Sequence, residues 1–229
     1  MRVRPLYIPF PVRRPSGLEV RALGDPCADL GSFLGALASM KTASAVAFQY
    51  LAADLRALNA PVDLADLAER AQYDELRHAR IIARLAHRYG GSPPGIATAP
   101  WSLRSPFEIA LENAVEGCVR DAHGARVALW QARAAVDRDL REAFTTITVD
   151  QARHADLAWT FAEYIEPFLE ASRRSIVEDA RAAAVERLRA EATIPLAHEL
   201  MVVAGMPPPY AALALLSELS EHVFVPRAA

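Results

Sequence analysis

The stretch of sequence that decides the fold is residues 71–89, AQYDELRHARIIARLAHRY. Its small and apolar residues recur every three or four positions, a spacing that places them on one face of an α-helix. Glu75 and His78 interrupt that apolar face near its middle. Because residues three apart on a helix project in the same direction, the pattern predicts that both polar side chains point into the protein core.

Three other long segments show the same arrangement, with apolar residues towards both ends of one helical face and polar residues in the middle. The four segments with their central polar residues are 30–59 with Lys41 and Ser44, 63–89 with Glu75 and His78, the segment from Ser105 with Glu112 and Glu116, and the segment from Asp137 with Gln151 and His154. The midpoints of four long helices meet when the helices pack into a bundle. The sequence therefore predicts one buried polar centre.

The connections between these segments predict how the helices are arranged. Only a short link separates the first two, so we expect them to be antiparallel. The link GGSPPGIATAPWSLR (90–104) is long and rich in Pro and Gly, which suits a crossover that makes the second and third helices parallel. We predict an all-α protein with an extended arm over residues 1–28, a four-helix bundle over 29–167 and a C-terminal helical extension over 168–229.

Composition and charge restrict the class of partner. The net charge of the 229 residues is −3 and no block of like charge is present, so neither nucleic acid nor an anionic membrane is predicted as a partner. No apolar run is long enough to cross a bilayer. Cys27 and Cys118 have no metal-binding or redox spacing, so we expect reduced thiols and a cytoplasmic protein. A small molecule is the expected partner, and the apolar C-terminal segment is compatible with a homodimer.

Three stretches carry a resemblance to a known family. The segment from residue 43 to Gly91, together with ENAVEGCVRDAHGA (112–125) and ITVDQARHADLAW (147–159), resembles bacterial ferritin-like domain proteins over about residues 36–166. The resemblance implies a four-helix bundle that holds two metal ions. In that superfamily one Glu comes from each of two helices, and a Glu-x-x-His pair comes from each of the other two.

The chain matches that ligand pattern at four positions and departs from it at two. The matching residues are Glu75, His78, Glu116 and His154, whereas Lys41 replaces the Glu of the first helix and Gln151 replaces the Glu of the fourth. The two replacements change the formal charge of the site by about +3, which weakens the binding of two metal cations by many kcal/mol at low dielectric. An intact two-metal centre and a role in iron storage are therefore disfavoured.

Two hypotheses about function follow from the departures. In the first, Lys41 pairs with Glu75, while Glu116 and His154, together with Glu75 or the Gln151 carbonyl, hold a single iron, manganese or zinc ion with open positions. The protein would then be an oxidoreductase acting on a small organic molecule.

In the second hypothesis no metal binds, and the ammonium group of Lys41 takes the place of an ion. The chain would then be a lysine/carboxylate-based enzyme, with catalytic roles for Lys41, Glu75 and Gln151, or a binding or structural module. Lys41 is the only lysine among 25 basic residues. Lysine, unlike arginine, can lose its proton when it is buried.

Overall fold

The computed structural model describes residues 12–21, 25 and 28–222, and this part of the chain is almost entirely helical. The helices are α1 (Leu30–Ala57), α2 (Val62–Arg88), α3 (Pro106–Glu112), α4 (Ala122–Ala134), α5 (Arg138–Ile165), α6 (Ala171–Ala192), α7 (His198–Val202) and α8 (Pro209–His222). A π-helical segment, Asn113–Asp121, joins α3 to α4, and Glu166–Phe168 is a 3-10 turn. The all-α prediction is confirmed.

The predicted helix starts agree with the structure at two places and differ at one. Ser105 accepts a hydrogen bond from the Glu108 amide while the Glu108 carboxylate binds the Ser105 amide, so a capping box starts α3. The fourth helix starts near Asp137 as predicted, and the Asp137 side chain caps α5. The second helix is predicted from residue 63, whereas α2 already begins at Val62, so Asp63 lies in the first turn and is not the N-cap. A carboxylate there still interacts favourably with the helix dipole.

Helices α1 and α2 are antiparallel neighbours. Arg56 near the end of α1 forms an ion pair of 2.7 Å with Glu69 near the start of α2. At the opposite end the backbones of Gly31 and Gly91 touch, since a Cβ added to Gly91 would lie 2.0 Å from the Gly31 carbonyl oxygen. Glycine is therefore required where the start of α1 meets the residues after α2.

Helix α5 runs opposite to α2 and to the α3–α4 column. Arg153 of α5 bonds Asp74 in the middle of α2, while Asp137 at the start of α5 bonds Arg88 at the end of α2. The Asn113 side chain donates to the Ala158 carbonyl at 2.8 Å, and Arg141 donates to the Ala135 carbonyl at 2.9 Å. Since α2 and the α3–α4 column both oppose α5, the long link after α2 joins parallel helices.

The polar centre lies between two apolar clusters. One contains buried residues from the first half of α1 and the first half of α5, including Phe33 and Phe144. The other contains residues from the second halves of these helices, including Phe48 and Phe161. A third, smaller cluster joins the π-helical segment to α6 and α8. Among the described residues, none of the helices combines the length and the apolarity that crossing a bilayer requires.

The N-terminal segment lies against the helices. Its β1 strand (Glu19–Val20) pairs antiparallel with β2 (Ile96–Ala97) in the long link after α2. Further towards the N-terminus, the Arg13 side chain is completely buried. The arm predicted over residues 1–28 is described only at 12–21, 25 and 28, so Cys27 falls outside the described residues.

Candidate functional site

Glu75 is the hub of the buried polar centre. Its side chain is 0 % exposed, and its Oε1 accepts hydrogen bonds from Lys41 Nζ at 3.2 Å and from Gln151 Nε2 at 2.5 Å. Burial opposes ionisation of this carboxyl, yet the charge of Lys41 and contacts with two histidines hold the Glu75 pKa well below its usual value. One carboxylate oxygen thus connects α1, α2 and α5.

Both histidines turn the same ring nitrogen towards this hub. His78 Nδ1 and His154 Nδ1 each lie 3.4 Å from Glu75 Oε1, and Gln151 Nε2 lies 3.1 Å from His154 Nδ1. The structure therefore brings together five of the six residues that the sequence analysis proposed for the site. The sixth, Glu116, lies elsewhere.

The other ring nitrogens face two aspartates that the sequence analysis did not select. His78 Nε2 lies 2.8 Å from Asp150 Oδ2, and His154 Nε2 lies 3.5 Å from Asp74 Oδ2. Each helix thus supplies the aspartate for the histidine of the other helix. A signal was present, because DELRH (74–78) and DQARH (150–154) share the pattern Asp-Glu/Gln-x-Arg-His.

The arginines of the same two pentapeptides bind both aspartates on the solvent side of the polar centre. Arg77 donates to Asp74 at 2.9 Å and also to Asp150, while Arg153 donates to Asp74 at 3.0 Å and also to Asp150. Although desolvation raises the pKa of Asp74, its contacts with His154 and the two arginines lower it to about 2. Both aspartates are therefore held as carboxylates by these cations.

Glu116 was predicted to be a metal ligand in the centre, and the structure contradicts that placement. Its carboxylate accepts hydrogen bonds from the Arg14 amide at 3.1 Å and from the Arg14 guanidinium at 3.3 Å. Arg120 Nε lies 3.6 Å away on the other side. Glu116 therefore binds the N-terminal arm rather than the histidines.

The carboxylate that this helical column supplies to the interior is Asp121. It is buried and accepts hydrogen bonds of 3.1 Å from both the amide and Nε of Arg13. Arg13 Nη2 also donates to Asn113 Oδ1 at 2.6 Å, and its guanidinium lies 5.1 Å from the centre of the Phe48 ring. Burial raises the pKa of Asp121, and the Arg13 charge opposes that rise.

The π-helical segment explains why Asp121 replaces Glu116. In a π-helix the hydrogen bonds span five residues rather than four, so a stripe drawn at α-helical spacing loses its register. Asn113, Gly117 and Asp121, four residues apart, all contact or bond the Arg13 side chain. Gly117 leaves the space that this side chain needs, since an added Cβ would lie 2.1 Å from Arg13 Nη2.

The donor set does not fit a two-metal centre. Lys41 binds the Glu75 carboxylate and Arg13 binds the Asp121 carboxylate. The Gln151 amide lies within hydrogen-bonding distance of His154 Nδ1. Each protein cation is already within hydrogen-bonding distance of the oxygen that would bind an ion. In the part of the chain that the structure describes, no cluster of three or more His, Cys, Asp or Glu side chains has the geometry to hold a metal.

A small cavity lies beside Lys41 and Gln151. Its volume is about 30 Å³, and its other walls include the apolar side chains of Phe33, Leu37 and Ile147. That is room for a water molecule or two, far below the roughly 300 Å³ of the smallest usual ligand pockets. The substrate-sized space that the oxidoreductase hypothesis requires is therefore not preformed at this cavity.

Comparisons with known proteins assign no family to the chain. No family model matches it, and neither a curated protein nor a solved structure is significantly similar to it. Function must therefore be argued from the geometry of the centre.

His123 lies outside this centre and makes stability depend on pH. The ring is buried and its Nδ1 has no hydrogen-bond partner. Burial, and then the charge of Arg120, lower its pKa to about 4. The unfolded chain therefore binds a proton near pH 6.5 that the folded chain binds only near pH 4, and stability falls as pH decreases through this window.

We expect this histidine to remove about 2 kcal/mol of unfolding free energy between pH 7 and pH 5. Urea unfolding of the native protein and of His123→Leu at both pH values measures the effect, because the variant should lose that part of the pH dependence. His87→Leu is the control, since His87 is exposed. Equal pH dependence in the native protein and in His123→Leu would contradict the expectation.

Proposed function

We propose that this chain is a metal-independent module of the ferritin-like class, in which fixed protein cations replace metal ions at the centre of the bundle. The observation that carries the proposal is the pairing of charges. Lys41 lies 3.2 Å from Glu75, and Arg13 lies 3.1 Å from Asp121. Each interior carboxylate has its own buried cation, so neither carries an uncompensated negative charge that would attract a metal ion.

The ferritin-like class is supported by the arrangement of the helices and by the pentapeptides. Two antiparallel helix pairs are joined by a long link between parallel helices, and the Glu75/His78 and Gln151/His154 pairs face each other across α2 and α5. Both histidines face an aspartate, and a hydrogen bond to Asp150 orients His78 as histidines at metal centres are usually oriented. We infer a scaffold built for metal binding in which Lys41 and Gln151 prevent it.

Restoring the two carboxylates tests this proposal. We expect the purified protein, from cells grown with added iron and manganese, to contain no stoichiometric metal. The double variant Lys41→Glu/Gln151→Glu should bind at least one ion per chain, because it removes the cation beside Glu75 and adds one carboxylate there and another beside His154. Elemental analysis and titration with Fe²⁺ and Mn²⁺ under anaerobic conditions measure both.

The matched control is Lys41→Glu/Gln131→Glu, which makes the same change in charge but adds the second carboxylate at a residue that does not contact His154 or Glu75. Gln131 is buried like Gln151, but its amide donates to the Ala204 carbonyl at 3.0 Å. Stoichiometric metal in the unmodified protein would refute the proposal. Equal metal binding by both double variants would show that added charge, rather than the position of the ligand, governs binding.

A second candidate function is an oxidoreductase with a single ion. It is favoured by one observation, that both Nδ1 atoms point inward while both Nε2 atoms face aspartates. Such an ion would be held by Glu75 and the two histidines and would supply Lewis-acid or redox chemistry. One ion per chain in the native protein, lost in His154→Ala, would favour this candidate over the metal-independent module.

A further inference from the structure

Glu75 Oε1 contacts two functional groups that can form an amide bond with each other, a primary amine and a carboxamide. Lys41 Nζ is 3.2 Å from this oxygen and Gln151 Nε2 is 2.5 Å from it. The Lys41 and Gln151 side chains also line the same 30 Å³ cavity. We propose that Lys41 and Gln151 become joined by a covalent amide bond between α1 and α5, with Glu75 transferring the proton.

The reaction needs no oxidant, metal or cofactor. Glu75 accepts a proton from the Lys41 ammonium, and the resulting amine attacks the Gln151 side-chain carbonyl carbon, forming the new C–N bond. Glu75 then gives its proton to Nε2 and takes one from the attacking nitrogen, the bond between the carbonyl carbon and Nε2 breaks, and the leaving nitrogen departs as ammonia. The products are the Lys41–Gln151 amide, one molecule of NH₃ and Glu75 as the neutral acid, so atoms and charge balance.

The surroundings favour this reaction over its alternatives. Lys41 is 4 % exposed and Gln151 is 2 % exposed, and apart from Gln131 and Gly124 the rest of the cavity wall is formed by apolar side chains. Little water is available there to solvate the amine or to hydrolyse the product, and fixed neighbours react as if at very high concentration. Arginine could not be the nucleophile, which gives the single lysine of the chain a specific role.

The proposed bond rests on the same Lys41–Glu75 pair as the proposed function and replaces its charges. In the unreacted chain the Lys41 ammonium lies 3.2 Å from the Glu75 carboxylate. After the reaction Lys41 is uncharged and Glu75 carries the proton, so the centre remains neutral and still has no uncompensated carboxylate. The bond would tie together α1 and α5, which are separated in sequence by α2 and the α3–α4 column.

The test is the mass of the full chain, measured under denaturing conditions. We expect the native protein to be lighter than its sequence by about 17 Da, the mass of the ammonia lost when a nucleophilic amine displaces it. Trypsin should release segment 22–56, uncleaved at Lys41, joined to segment 142–153. A full-length chain at its sequence mass, after prolonged incubation, would overturn the proposal.

Variants identify the three participants. Lys41→Arg, Gln151→Ala and Glu75→Gln should each have the mass calculated from its own sequence, without the loss of about 17 Da. This holds for Glu75→Gln although that variant keeps both the amine and the carboxamide. Gln131→Ala, which alters another amide at the same cavity, should keep the loss of about 17 Da. A mass loss that persists in Glu75→Gln or Gln151→Ala would overturn the assigned roles. Because denatured protein carries no metal, the result is independent of the metal analysis.

Discussion

Replacing Arg13 with alanine is expected to lower the free energy of unfolding by about 3 to 5 kcal/mol, the usual cost of removing one partner of a buried ion pair. The guanidinium is fully buried and bonds Asp121 and Asn113. Without it, Asp121 would be left as a buried carboxyl, whose pKa burial already raises. That group must then either bury an uncompensated charge or bind a proton.

Arg14 provides a matched control one residue away. Its side chain is 33 % exposed and pairs with Glu116 at 3.3 Å, so Arg14→Ala should cost no more than about 1 kcal/mol. Urea unfolding of both variants gives the comparison. The double variant Arg13→Ala/Asp121→Asn should recover part of the loss, since it removes the orphaned charge. Equal small costs for the two arginines would show that the buried Arg13–Asp121 pair stabilises the folded protein no more than the partly exposed Arg14–Glu116 pair does.

The periodicity of α1, α2 and α5 was enough to predict the central residues from the sequence. Lys41, Glu75, His78, Gln151 and His154 each interrupt an apolar stripe at the middle of a regular helix, and α-helical geometry then fixes the direction of each side chain. The inward direction of these five residues follows from local sequence alone, and the structure places them together.

The third helix could not be predicted in the same way, because its middle is π-helical. A stripe at α-helical spacing selected Glu116, whereas the π-helical segment directs Asp121 inward. The sequence EGCVRD (116–121) contains no local signal that the backbone changes from α-helical to π-helical hydrogen bonding. Tertiary contacts, such as the close approach of Arg13 to Gly117, cannot be read from this segment.

Of the two buried cations, the sequence allowed the ion pair of Lys41 to be predicted but not that of Arg13. Lys41 stands where a carboxylate was expected within a clear pattern, so its pairing with Glu75 could be predicted. Arg13 belongs to a segment rich in Pro and Arg, and its partner Asp121 is 108 residues away. No local rule distinguishes this arginine from its neighbours. By contrast, the roles of Asp74 and Asp150 could have been found by comparing the two pentapeptides.

Replacing Gly117 with alanine is expected to destabilise the protein by about 3 kcal/mol or more, opposite in sign to the usual gain of about 1 kcal/mol for this change in a helix. The new methyl carbon would lie 2.1 Å from Arg13 Nη2, 2.4 Å from Asn113 Oδ1 and 2.9 Å from Ala158 Cβ. Arg13 has no free space into which it can withdraw, because it is 0 % exposed and bonded on both sides.

The cause of this loss can be separated from simple crowding by a double-mutant cycle. In the Arg13→Ala background the clash with the guanidinium no longer exists, so the cost of Gly117→Ala should shrink by about 1 to 3 kcal/mol, as expected for residues in direct contact. Chemical unfolding of the four proteins measures the coupling. Additive effects would mean that Asn113 and Ala158 alone resist the methyl group. A large coupling would mean that Gly117 is needed so that Arg13 can enter the bundle and neutralise Asp121.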